Sequence, residues 1–175
     1  MITSIEAVHE VADTYAKALR GLDVLCGALQ EIIYDKGGLV DFSEADVLAK
    51  LGELKPPSSY QEEALECWAD YSDQRNEWEE HPSGLAGWWL ERQLEIVFIG
   101  RKTLDSTRYE TYDDYQASAV EVVLGLGGPT VRLTFDLSSE YSKLFVSWES
   151  KWTIELYVPH LREAVIGLAE MMGEC

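Results

Sequence analysis

Basic residues are scarce in this sequence. Fourteen Lys and Arg stand against 32 Asp and Glu among 175 residues, for a net charge of −18. Such a chain repels nucleic acid and anionic lipid and attracts basic partners. Direct nucleic-acid binding and a membrane role are therefore not expected. Cysteine is scarce as well. Cys26, Cys67 and Cys175 are odd in number, far apart and in no C-x-x-C pair. That pattern reads as reduced thiols in a cytoplasmic protein and excludes a disulfide framework. The opening MITSIEAVHE lacks a basic and an apolar signal region; a secretory leader would need both. No apolar run approaches the ~20 residues of a membrane span, and one of the longest is the short IVFI at 96–99.

What is present is apolar material, 46% of residues, with six Trp and nine Tyr. That suffices for one compact domain, or for two small lobes sharing a core. The negative charge is unevenly placed: residues 1–80 hold 18 acids and 6 bases, and residues 81–175 hold 14 and 8.

Periodicity divides the chain into an acidic helical region, 1–84, and a β region, 85–175. A first helix is expected over about 4–35, with Thr3 or Ser4 as cap and Gly37-Gly38 as its end. Its apolar residues Ile5, Val8, Ala12, Tyr15, Leu19, Leu22, Cys26, Leu29 and Ile33 alternate in steps of 3 and 4. Val11, Ala18, Leu25 and Ile32 widen the stripe, which favours bundle core over a dimer seam. A homodimer through this helix is the alternative. A short helix follows over about 43–51, with Ser43 as N-cap. LKPPSS at 54–59 breaks the chain, and Ser58 or Ser59 caps a helix over about 60–80. Tyr60, Ala64, Cys67, Trp68, Tyr71 and Trp78 form its apolar side, with helix one as the expected antiparallel partner.

Beyond HPSG at 81–84 the period changes to two. Trp88-Trp89 opens the β half. LEIVFIGRK (94–102), AVEVVLGL (119–126), TVRLTFDL (130–137), KLFVSWE (143–149) and KWTIELY (151–157) read as strands of an antiparallel meander. Gly127-Gly128-Pro129 is a hairpin turn, and the last two segments are either two strands or one bent strand. Residues 103–117 read as a long acidic loop, and Pro159 opens a final helix over about 159–172. The fold class is thus α+β: an N-terminal antiparallel helical pair packed with a four- or five-stranded antiparallel sheet and a C-terminal helix, as one unit.

Motifs for chemistry are missing. LGLGGPTVRL has no Lys-Ser/Thr and no helix after it, so it is a turn and not a phosphate loop. No G-x-S-x-G occurs, Cys26 and Cys67 take core positions, and His9, His81 and His160 are scattered. Glu62 and Glu66 have no His partner for a di-metal site. A non-enzyme is expected, with no cofactor, no metal and no catalytic residue. The tryptophans read as core, the alternative being an exposed binding anchor.

The stretch EEALECWADYSDQRNEWEE at 62–80 carries eight acids and one base. Glu62, Glu66, Asp70, Asp73, Glu77 and Glu80 recur in steps of 3 and 4, so a continuous helix presents them on one face. Like charges at that spacing oppose helix formation by a few tenths of a kcal/mol per pair, so folding alone does not select the row. It is the candidate partner-binding site, and Asp113 and Asp114 of the acidic loop are candidates to join it. Phosphates recur every ~3.4 Å along a strand, so one row is sparser than DNA. Glu63 and Glu79 are the expected start of a second row. The plain alternative is a solvated face that serves solubility.

Within 119–156, Gly127, Gly128, Pro129, Val131 and Arg132, followed by Trp148, Trp152 and Thr153, form a strand–GGPxVR–strand unit with a Trp-centred strand after it. This resembles a group of small acidic proteins of phages, prophages and plasmids. The resemblance implies a viral or mobile-element protein and, by analogy, an inhibitor of host defence nucleases that presents carboxylates where DNA would sit. The expected function is therefore an anti-CRISPR or anti-restriction protein, a DNA mimic acting in the host cytoplasm on a basic nucleic-acid-binding complex. The alternatives are an immunity protein against a basic nuclease toxin, and an accessory phage protein with incidental acidity.

Overall fold

A computed structural model describes residues 5–35, 42–82, 84–93, 95–102, 115–126, 129–136, 142–148 and 152–158. The expected Thr3 or Ser4 cap, the Gly37-Gly38 stop, the Gly127-Gly128 turn and the helix at 159–172 lie outside those residues.

The class is α+β. Helix α1 spans Ile5–Asp35, α2 Glu44–Leu54 and α3 Ser58–Tyr71; a 3-10 turn at Ser72–Gln74 leads to α4, Arg75–Glu79, and then to α5, Gly84–Glu91. Five strands follow: β1 Glu95–Lys102, β2 Tyr115–Gly125, β3 Thr130–Asp136, β4 Ser142–Trp148 and β5 Trp152–Val158. They form one antiparallel meander in the order β1-β2-β3-β4-β5. β4 and β5 are separate strands closed by the pair Trp148↔Trp152, not one bent strand.

The sheet buries one face by simple alternation. Val122, Leu133 and Leu144 lie side by side across three strands, with Val120 and Phe135 in the next row. All five are fully buried. α1 packs against β4 and β5, and a single core cluster joins Val8, Leu19 and Leu25 of α1 to these strand residues. The two halves of the sequence therefore share one core. The other sheet face carries cross-strand ion pairs, such as Lys143–Glu155 at 2.9 Å.

α1 and α3 form the expected helical pair, but the two run in the same direction. Arg20 meets Tyr60 and Glu63 near the start of α3. At the far end, Trp78 donates its indole N–H to the Tyr71 carbonyl at 2.9 Å while lining a cavity with Leu29 and Ile33. A helix rises ~1.5 Å per residue, so an antiparallel α3 would leave Tyr71 some tens of ångströms from Leu29. α2 returns the chain between them. Its start is as expected: Ser43 and Asp46 make a full capping box, which ties down two otherwise unpaired N–H groups. Lys55, at φ 51° in the left-handed region, ends it.

Four other expectations need correction. Neither Ser58 nor Ser59 caps α3: Pro57 precedes the helix, no side chain caps it, and the Pro57 carbonyl accepts from Tyr60 and Gln61. The helix expected over 60–80 is interrupted at Ser72–Gln74. Ser, Asp and Asn in YSDQRN are weak helix formers that compete for backbone bonds, and the Trp78 indole adds a bond to the Tyr71 carbonyl at the break. Trp88-Trp89 lies in α5 and opens no strand; GLAGWWLE is a poor helix by propensity, held by burial of Leu85, Ala86, Trp88 and Leu90. β2 begins at Tyr115, so the acidic loop is shorter than 103–117, and its remainder lies outside the described residues.

Candidate protein-binding surface

The acid row is where helical spacing places it, on solvent. Glu62, Glu66, Asp70, Asp73, Glu77 and Glu80 are all exposed, while Ala64, Cys67, Trp68 and Trp78 on the opposite side are buried. The 3-10 turn alters the row's course. Three residues at ~120° instead of ~100° per residue rotate the later acids by about 60° relative to the earlier ones. Glu62, Glu66 and Asp70 form one straight segment on α3, and Glu77 and Glu80 a second, re-aimed one.

The second row expected from Glu63 and Glu79 is not available to a partner. The Arg20 guanidinium donates to both Glu63 oxygens, at 2.9 and 3.2 Å. Arg75 donates to Glu79 at 2.5 Å, four residues along the same segment, while its guanidinium stacks 3.7 Å from the centre of the Phe42 ring. Glu77 is engaged too: it accepts from Arg92 and from the Trp88 indole and so ties α4 to α5. Lys50 bridges Asp35 and Glu53. Arg20, Lys50 and Arg75 of the helical region, and Arg92 just beyond it, are thus committed to internal pairs. Glu62, Glu66, Asp70, Asp73 and Glu80 remain without an ion pair among the described residues.

The structure adds an acid group the sequence reading did not assign. Glu6, Glu10 and Asp13 are exposed on α1, in steps of 4 and 3. Asp13 lies within electrostatic reach of Arg20, which bonds Glu63 of α3. The Arg20–Glu63 bridge therefore joins the α1 acids to the α3 row along one flank. Their spacing is legible in the sequence, where the core stripe of α1 is the stronger signal. Asp113 and Asp114 lie outside the described residues.

Other candidate chemistry is quiet. Burial is the main cause that pushes the Cys26 thiol up to about 12, with Asp23 and Cys67 adding to it. The Cys67 thiol is also pushed up to about 12, by burial first and then by Asp70, Glu66 and Glu63. Neither forms a thiolate near neutral pH, which nucleophilic attack needs. His9 is exposed, and His81 sits 3.2 Å from Glu91. Among the described residues no group of three or more His, Cys, Asp or Glu is placed to hold a metal. No described helix is long and apolar enough to cross a membrane. Trp68, Trp78 and Trp88 are buried and offer no exposed anchor.

Asp23 is a carboxyl whose pKa burial raises above its ordinary value. A raised folded pKa means the unfolded state tolerates the charge better, so stability falls as pH rises through that pKa. Asp23→Asn is expected to raise the melting temperature at pH 7 and to leave it unchanged at pH 3, where both states are protonated. Thermal unfolding at the two pH values checks this; an equal gain at both would assign the effect to packing.

No family model matches this chain, and neither a curated protein nor a solved structure matches it.

Proposed function

We propose that this chain is a non-enzymatic protein inhibitor of a phage or mobile element. It occupies the basic, nucleic-acid-binding surface of a host defence complex, of the CRISPR or restriction kind, with its acidic helical flank. The observation that carries this reading is the set of exposed acids on α3 and its continuation that have no ion pair among the described residues, Glu62, Glu66, Asp70, Asp73 and Glu80, while the nearby Arg20, Arg75 and Arg92 are already paired with other acids. That arrangement opposes folding slightly and suits a surface rich in Lys and Arg. Glu63, Glu79 and Glu77 are held in internal pairs, so the surface is one bent row, extended lengthwise by Glu6, Glu10 and Asp13. Successive acids of the row are ~5 Å apart along the axis. This spacing favours charge complementarity with a basic groove over a strand-for-strand copy of a duplex. An immunity protein against a basic nuclease toxin would use the same electrostatics.

The test is charge reversal. Glu62, Glu66, Asp70 and Asp73 changed to Lys take the net charge from −18 to −10 and leave the buried side of α3 untouched. Capture of a basic nucleic-acid-binding protein from host lysate at ~50 mM salt should be lost in this variant, and lost for the parent at ~1 M salt, where the Debye length is only ~3 Å. The matching Gln/Asn variant should fall between. Undiminished capture by the folded Lys variant sinks the proposal. The identity of the captured protein, defence nuclease or toxin, separates the two inhibitor readings.

A further inference from the structure

Strand β1 ends the sheet, with β2 as its one neighbour among the described strands. A sheet edge without a partner strand is a row of unpaired N–H and C=O groups, which proteins commonly interrupt with Pro, a bulge or an inward charge. β1 reads EIVFIGRK and has none of these at its middle. The bulge beside it belongs to the other strand: Ile99 pairs with Ala119 and Gly100 with Ala117, so the inserted residue is Ser118 of β2. β1 therefore keeps a regular alternation of faces along its length. Its charges lie at its two ends and differ in sign, Glu95 at one and Arg101 and Lys102 at the other. β2 does not answer them at the paired positions, where Glu95 meets Val123, Arg101 meets Gln116 and Lys102 meets Tyr115. Val97, on the same face as Glu95, is exposed.

We propose that β1 is a dimer edge, which pairs antiparallel with β1 of a second copy of this chain. The occupant follows from the strand's own sequence, which is complementary to its reverse. In a two-fold antiparallel pair, opposed residues share a face, so their numbers add to an even total. Centred on Phe98, the pairing sets Glu95 of each copy opposite Arg101 of the other, and Val97 opposite Ile99. Opposite charges and apolar β-branched residues directly across two strands stabilise the pair. Centred on Ile99 instead, it sets Val97 opposite Arg101 and Ile96 opposite Lys102, an apolar residue against a base each time. The charges thus select one register. The far edge, β5, offers no such match: WTIELYV holds Glu155 and no base, and a symmetric pair centred there opposes Glu155 to itself. Copies with a net charge of −18 repel one another, so an edge that brings acid to base is where two of them can meet. The pairing stands independently of the acidic flank.

Sedimentation velocity of the full chain, from micromolar to millimolar concentration at ~0.15 M salt, should show a monomer–dimer equilibrium. Glu95→Arg sets Arg opposite Arg, and Arg101→Glu sets Glu opposite Glu. Each variant alone should pair about five- to fiftyfold more weakly, because both matched pairs of the dimer become like-charge pairs. Mixed in equal amounts, the two variants should pair with each other about as well as the parent does, since acid then opposes base at both ends. Net charge cannot produce this pattern, because Glu95→Arg makes the chain less negative and is still expected to weaken pairing. If either variant does not fold, Val97→Lys at its exposed position replaces it; this sets Lys opposite Ile99 and should abolish the dimer. A chain that stays monomeric at millimolar concentration overturns the proposal. A dimer that these substitutions leave intact overturns it too, as does a loss that mixing the two charge variants does not restore.

Discussion

Changing Gly21 to Ala should destabilise the protein by about 2 kcal/mol or more, although alanine is the better helix former by about 1 kcal/mol. A Cβ at Gly21 would stand 2.4 Å from the Glu63 carbonyl oxygen, 2.6 Å from its carbon and 3.0 Å from the Cys67 sulfur. The first two are backbone atoms of α3, which cannot yield without moving the helix as a body. That movement would also strain the Arg20–Glu63 pair that joins the acids of α1 to those of α3. Gly27 and Gly52 provide the internal comparison, because a Cβ at either meets nothing within 4 Å. Alanine there should stabilise by about 0.5–1 kcal/mol by restricting the unfolded chain. Urea unfolding of the three variants reads the signs directly. A stabilised Gly21→Ala protein would show that α1 and α3 do not approach this closely.

Trp78→Ala is expected to be the most damaging single change, with a loss of about 3–5 kcal/mol in a domain whose whole stability is about 5–15 kcal/mol. Trp78 is 2% exposed, its ring centre is 6.5 Å from that of Phe42, and its N–H occupies the Tyr71 carbonyl at the helix break. Trp78→Phe separates packing from hydrogen bonding. It retains most of the ring but removes that hydrogen bond, for a loss of about 0.5–1.5 kcal/mol. The two variants, compared by urea unfolding with circular dichroism, should therefore differ by at least 1 kcal/mol. A Trp78→Phe protein as stable as the parent would mean that the indole N–H does not secure the break.

Much of the architecture was legible in order and period. The strand at 130–137 alternates apolar and polar residues and pairs with the apolar strand at 119–126 as expected, because one face must be buried. Ser43 followed three residues later by Asp46 announced a helix start, since its hydroxyl and carboxylate can close the capping box locally. The acid row was also legible, because residues three and four apart share a face whatever the rest of the chain does. The internal pair Arg75–Glu79 obeys the same local rule and could have been read.

Local chemistry determined the class of fold, the side of α3 that meets solvent and the excess of negative charge on it. Tertiary structure decided which of those charges a partner can use. Arg20 reaches Glu63 across 43 residues of sequence, and Arg92 reaches Glu77 across 15. It also decided that α1 and α3 run in the same direction, that the row bends at Ser72–Gln74, and that Trp88 belongs to a helix. The physical reason is one of range. Periodicity and capping act over a turn of helix, whereas ion pairs and burial are set by whichever segments the folded chain brings together.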